Sequence, residues 1–89
     1  ADIEFNNLMI EAKRYAKGSW FKPDWWEQTL TSAGETHVPV LIYKYDHQPI
    51  RFVFRLKDIM GDPYIEGTAT VDYATGIMLM REILEFSNA

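Results

Sequence analysis

Polar and apolar residues alternate on either side of Asn6-Asn7 in the stretch from Ala1 to Lys13, with Met9 the one apolar residue at a polar position. A period of two marks a half-buried strand, and Asn-Asn tolerates the positive φ that tight hairpin turns need. The pattern predicts a β-hairpin that pairs Phe5 with Leu8, Glu4 with Met9, Ile3 with Ile10 and Asp2 with Glu11. Ile3, Phe5, Leu8, Ile10 and Ala12 then share one face, with Ile3 and Ile10 expected in the core. Asp2, Glu4, Met9, Glu11 and Lys13 share the other.

The period changes further on. Arg14 to Lys22 reads as a loop, and Pro23-Asp24 opens a helix in which Asp24 and Glu27 form a D-x-x-E capping pattern and Gly34 supplies the stop. Trp26, Leu30 and Ala33 fall on one stripe, expected to lie on the sheet, while Gln28 points elsewhere with Trp25 and Ser32. Val38 to Tyr45 is almost continuously apolar or aromatic, the signature of a central strand covered on both faces. Asp46 to Pro49 is a turn. Ile50 to Leu56 alternates again, with Ile50, Phe52, Phe54 and Leu56 against Arg51, Val53 and Arg55, which predicts a half-exposed strand with a basic outer face. Lys57 to Gly67 reads as loop and Thr68 to Val71 as a short strand. Asp72 is placed to cap a last helix over Tyr73 to Glu85, whose buried stripe is Ile77, Met80, Ile83 and Leu84, with Gly76 as its weak point. The order ββαββ, then a short strand and a helix, predicts one α/β (α+β) domain over residues 1–89, a mixed β-sheet flanked by helices.

Composition narrows the class. An apolar fraction of 47% in 89 residues supports a folded domain, and the absence of cysteine excludes disulfides, thiol chemistry and cysteine-based zinc sites. No apolar run is long enough to span a membrane and no signal-peptide pattern is visible, so a soluble cytoplasmic protein without a membrane partner is expected. A net charge of −4 counts against a general nucleic-acid binder. Its distribution softens that objection. Lys13, Arg14, Lys17 and Lys22 occur with no acid among them, and Lys44, Arg51, Arg55 and Lys57 enclose only Asp46. From residue 58 onward Arg81 stands alone against six acids.

The hairpin register sets Asp2 and Glu11 directly opposite, with Cβ atoms about 5 Å apart, where like charges repel. Such a pair calls for a cation, a base or a proton between the carboxylates. Lys13, two residues on and on the same face, completes the set. Asp2 with Glu11-Ala12-Lys13 resembles the D…E-x-K core of the PD-(D/E)xK nuclease superfamily, and within it the Holliday junction resolvase-like proteins of archaea and phages. The likeness runs from Ala1 to about Lys57. Ala1 stands where the family usually has proline, and the family's first helix, with its further acidic residue, and its first strand would lie before Ala1.

The resemblance implies a restriction-endonuclease-like core and a Mg²⁺- or Mn²⁺-dependent DNA endonuclease, junction-resolving or related, in a bacterial, archaeal or phage-infected cell. Asp2 and Glu11, with the main-chain carbonyl of Ala12, would hold the metal. Lys13 would orient the attacking water or neutralise phosphate charge, and Gln28 would reach from its helix to the lysine or a phosphate. Arg14, Lys17 and Lys22 would contact DNA. The family acts as homodimers, so a homodimer or a complementing N-terminal segment is implied, and apolar surface of the hairpin or of the 38–45 strand is expected to be uncovered.

Plainer readings stand beside these. The hairpin carboxylates can be a solvated surface screened by Lys13, Gln28 an ordinary exposed helix residue, and the whole chain a non-catalytic DNA- or protein-binding domain that retains the nuclease fold. Trp20, Phe21, Trp25 and Trp26 can offer a stacking surface for unpaired bases, but core or subunit interface is the expected role of such a cluster. His37 and His47 lack zinc-ligand spacing and read as surface residues. No nucleophile-elbow or phosphate-loop motif is present.

Overall fold

The computed structural model describes residues 2–18 and 20–87; Ala1, at the start of the hairpin stretch, and Ser19, in the loop that follows it, lie outside them. The described residues form strands β1 (Asp2–Phe5) and β2 (Leu8–Tyr15), helix α1 (Pro23–Ala33), strands β3 (Val38–Tyr45) and β4 (Arg51–Arg55), a short helix α2 (Leu56–Met60), strand β5 (Thr68–Val71) and helix α3 (Tyr73–Ser87). One five-stranded mixed sheet in the order β1-β2-β3-β4-β5 carries the helices, an α+β arrangement. β2 and β3 run parallel, joined by the α1 crossover, and every other neighbouring pair is antiparallel.

The hairpin has the register that alternation and turn chemistry predict, Asp2 opposite Glu11 through Phe5 opposite Leu8. Asn6 takes the left-handed conformation, φ 52°, that Asn tolerates. Beyond the hairpin β2 continues to Tyr15, because β3 pairs with it up to Tyr45, so the expected loop begins later than Arg14.

Neighbouring residues of β3 feed two separate cores. Val40 packs with Leu8, Ile10, Phe52, Phe54 and Ile83 of α3. Leu41 packs with Tyr43, Tyr45, Val53 and Trp25 of α1. Since successive side chains of a strand leave on opposite faces, α1 and α3 cover opposite faces of the sheet. β3 is buried on both sides, as its continuous apolar run requires. Gly76 has a packing reason: a Cβ there would stand 2.3 Å from the Phe52 ring, so only glycine lets α3 settle this closely. Asp72 caps α3 by accepting a hydrogen bond of 2.8 Å from the Thr75 amide. Hydrogen bonding from Thr75 holds its carboxyl below the ordinary aspartate range.

Several expectations are corrected by tertiary context. The buried stripe of α1 is Trp25, Thr29 and Ala33, one residue away from the apolar count at the first two positions. Thr29 is buried at no polar cost because its hydroxyl donates to the Trp25 carbonyl at 2.8 Å, while Trp26 and Leu30 flank a side groove against the loop before β5. Lys22, without a side-chain cap bond, precedes the helix and Pro23 begins it, so Asp24 sits in the first turn and is not the cap. β4 is not half exposed: Val53 is fully buried beneath α1, and Arg55 is drawn into a two-bond pair with Asp58 at 2.7 and 3.1 Å. Leu56–Met60, expected to end a strand and enter a loop, closes instead as α2, stopped by left-handed Gly61. Ile3 and Phe5 are 52% and 53% exposed, because β1 is the sheet edge and α3 packs over β4.

Candidate active site

The carboxylate pair stands at the border between covered and open sheet on the α1 side. Asp2 is exposed on the edge strand, and Glu11, directly opposite, is only 5% exposed, walled by β3 where Leu41 is its neighbour in register. A two-residue hairpin makes its closing pair hydrogen-bonded, so alternation makes Asp2–Glu11 a non-hydrogen-bonded pair, the kind whose side chains stand closer together. Lys13 follows on the same face and brings its ammonium to 3.5 Å from Glu11 Oε1. A buried carboxylate is retained only when paired or when it serves a cation, and here both conditions are within reach.

Helix α1 supplies the opposite wall. Its residues Asp24, Gln28 and Ser32 recur at i, i+4 and i+8 and so line one side, adjacent to the buried Trp25–Thr29–Ala33 stripe. Together with Asp2 and Glu11 they bound an open cleft of about 610 Å³, which Glu27 and Thr31 also line. The Ser32 hydroxyl donates to Asp2 Oδ2 at 2.8 Å, tying the edge strand to the helix. Among the residues singled out from sequence, Asp2, Glu11 and Gln28 therefore line one cleft, and Lys13 is joined to it through Glu11.

The basic residues are more scattered. Arg14 leaves β2 on the face opposite Glu11 and Lys13, and its guanidinium lies 3.4 Å from Asp46. Lys17 is exposed in the loop after β2. Lys22 lies against aromatic rings, its ammonium 5.3 Å from the Tyr15 ring centre and 5.8 Å from that of Trp25. The methyl of Ala12 projects to the α3 side, which leaves its main-chain carbonyl as the only atom that can serve the Glu11–Lys13 side. Beyond Lys13, Tyr43 of β3 is its partner in register, and the Tyr43 hydroxyl is buried with no hydrogen-bond partner among the described residues. Burial, partly offset by Arg51, pushes its pKa up. His37 is engaged on the same side of the sheet, 2.6 Å from Glu4.

Sequence reasoning missed Asp24, Glu27, Thr31 and Ser32 as cleft residues. The i, i+4 spacing of Asp24, Gln28 and Ser32 was the available signal, but it gains meaning only once the adjacent stripe is known to be the buried one. Four carboxylates, those of Asp2, Glu11, Asp24 and Glu27, surround the cleft and favour a cation in it. Among the described residues no group of three or more His, Cys, Asp or Glu side chains converges as a ready-made metal cage. Two facing carboxylates are still the donor set that suits Mg²⁺, which keeps several waters and takes one or two protein carboxylates. No helix among the described residues is long and apolar enough to cross a membrane.

No family model, no curated protein and no solved structure matches the chain.

Proposed function

We propose that this chain is the core of a Mg²⁺-dependent DNA endonuclease that hydrolyses phosphodiester bonds in branched or duplex DNA. One observation carries the reading: Asp2 and Glu11 face each other in a cleft that Gln28 lines from the crossover helix, with Lys13 bonded to Glu11. Each of these residue types has a use in phosphoryl transfer. Asp2 and Glu11 hold the cation through hard oxygen atoms, with the Ala12 carbonyl available beside them. A Mg²⁺ ion held there would supply a water of lowered pKa and charge stabilisation for the scissile phosphate. Lys13 orients that water or neutralises a phosphate oxygen. Ser32 keeps Asp2 turned toward the helix, which preorganises the edge strand that would otherwise fray.

The decisive experiment is nicking of a labelled four-way junction with Mg²⁺ or Mn²⁺, alongside Glu11→Gln. The parent chain is expected to cleave and the variant to lose at least about 100-fold, since even outer-shell losses at metal sites cost 10- to 100-fold. Tryptophan fluorescence should report metal binding in the parent, and this signal should weaken in the variant. Metal binding without cleavage of any branched or duplex DNA would sink the reading. It would favour a non-catalytic DNA- or protein-binding domain, and the acidic cleft mouth at Asp24 and Glu27 supports the protein-binding form of that reading.

A further inference from the structure

The aromatic residues beside the cleft divide into two groups. Trp25, Tyr43 and Tyr45 are buried between α1 and the sheet, the role expected of such a cluster. Trp20 and Tyr15 are not: they remain 59% and 43% exposed. Both are nonetheless anchored, Tyr15 through its ring and Trp20 through its main chain. Tyr15 lies flat on Trp25, ring centres 4.9 Å apart and planes within 14°, so one ring face is backed and the rest of the ring is presented outward. The loop bearing Trp20 is clamped from below by Tyr45, whose hydroxyl donates to the Trp20 carbonyl at 2.8 Å. The same Tyr45 ring would lie 2.4 Å from a Cβ at Gly18, so that only glycine, here at φ 144°, lets the loop sit down on it. Anchored aromatic residues left open to water are what a stacking site requires and what a core avoids.

Charge points the same way. Between Glu11 and Asp24 the sequence has no acid and four cations, of which Arg14 leaves on the opposite face beside Asp46 and Lys13, Lys17 and Lys22 remain. Lys17 is exposed in the clamped loop, and the Lys22 ammonium lies beside both the Tyr15 and Trp25 rings. Cations interleaved with aromatic faces serve phosphates and bases at once. Tyr15 follows Glu11 by two pleats on the same strand and face, about 13 Å at 3.3 Å per residue, a span of a few nucleotides.

We infer that Tyr15 and Trp20, with Lys17 and Lys22, form a platform for unpaired nucleotides of DNA, so that the cleft receives substrate carrying a single-stranded segment. The inference rests on the nuclease reading only for DNA as the polymer; the platform itself needs no metal. It is tested with a fluorescently labelled oligothymidylate in the presence of EDTA, read by anisotropy, against a blunt duplex of equal length. The oligothymidylate is expected to bind more tightly than the duplex. Trp20→Ala and Tyr15→Leu should each weaken binding by roughly 5- to 100-fold, the range for one lost base–aromatic stack. Trp20→Phe should restore most of it. Lys17→Ala should lower the slope of log affinity against log salt by about 0.7, the value for one lost phosphate contact on a single strand. Thermal melting separates binding from folding, because Trp20→Ala removes an exposed ring and should leave the transition in place. Equal affinity for the duplex would overturn the proposal, as would unchanged strand binding by Trp20→Ala. Strand binding without cleavage on any substrate would leave the platform standing and sink the nuclease; cleavage without strand binding would do the reverse.

Discussion

The two faces of this sheet are built from alternate residues of the same strands, yet they carry opposite kinds of surface. On the α3 side Leu8, Ile10, Val40, Phe52, Phe54 and Ile83 close into a core of hydrocarbon and phenyl groups. On the α1 side the corresponding positions include Glu11, Lys13, Tyr43 and Tyr45, with polar groups inside or at the margin of the packing. The difference lies in what each face presents at its margin. α3 packs over β4 with Gly76 against Phe52 and α1 lies over β2 and β3, so both leave the β1 margin open; on the α3 side that margin carries Ile3 and Phe5, on the α1 side Asp2 and Glu4. Where apolar side chains are closed in, as between α3 and β4, a position is selected only for volume and shape. A face that is closed at one end and open at the other can hold a charged group half out of water, where its chemistry differs from that of a solvated one.

The contrast can be broken most severely on the α3 side. Phe54→Ala is expected to cost about 3–5 kcal/mol, the range for truncating a buried phenyl ring, measured as a lower urea midpoint at unchanged slope. Gly76→Ala should cost about 1–3 kcal/mol, against the usual helix benefit of alanine, because its methyl group would overlap a core ring. If Gly76→Ala is instead stabilising, α3 is free to shift and the close approach to Phe52 is not a constraint.

Smaller effects are expected on the α1 side. Glu11→Gln relieves repulsion with Asp2 but gives up the pair with Lys13, so stability should change by no more than about 1 kcal/mol in either direction. A larger loss would make Glu11 a structural residue and erase the difference between the faces. Tyr43→Phe removes a buried hydroxyl with no partner among the described residues and should be neutral or stabilising, by up to about 1 kcal/mol. Its pH dependence has a definite sign. The folded-state pKa of Tyr43 is raised by burial, so its proton leaves the unfolded chain first. Its contribution is intact below about pH 10 and is lost as pH rises from there through the higher folded value. The parent should therefore lose stability relative to Tyr43→Phe only above about pH 10, as read by denaturant midpoints across that range.

Local chemistry made much of this legible in the sequence. The Asn6-Asn7 turn and the alternation around it determined the hairpin register, and with it the facing of Asp2 and Glu11, because a slip of one residue would move every side chain to the wrong face. The nearly unbroken apolar run determined β3 as a doubly covered strand, and Asp72 three residues before Thr75 determined the α3 cap. Tertiary structure alone decided what depends on who covers whom. Thr29 entered the core and Leu30 stayed at its margin because a back-bonded hydroxyl is effectively apolar. Ile3 and Phe5, apolar by pattern, stayed exposed because their strand is the edge. Trp25 and Trp20 parted ways because one lies on α1 above the sheet and the other on a loop held by its own backbone carbonyl. Ser32 reached Asp2, and Gln28 the same cleft, only through the rotation of α1, which is set by the fit of Trp25 against Tyr43 and Tyr45 and so by contacts far apart in sequence.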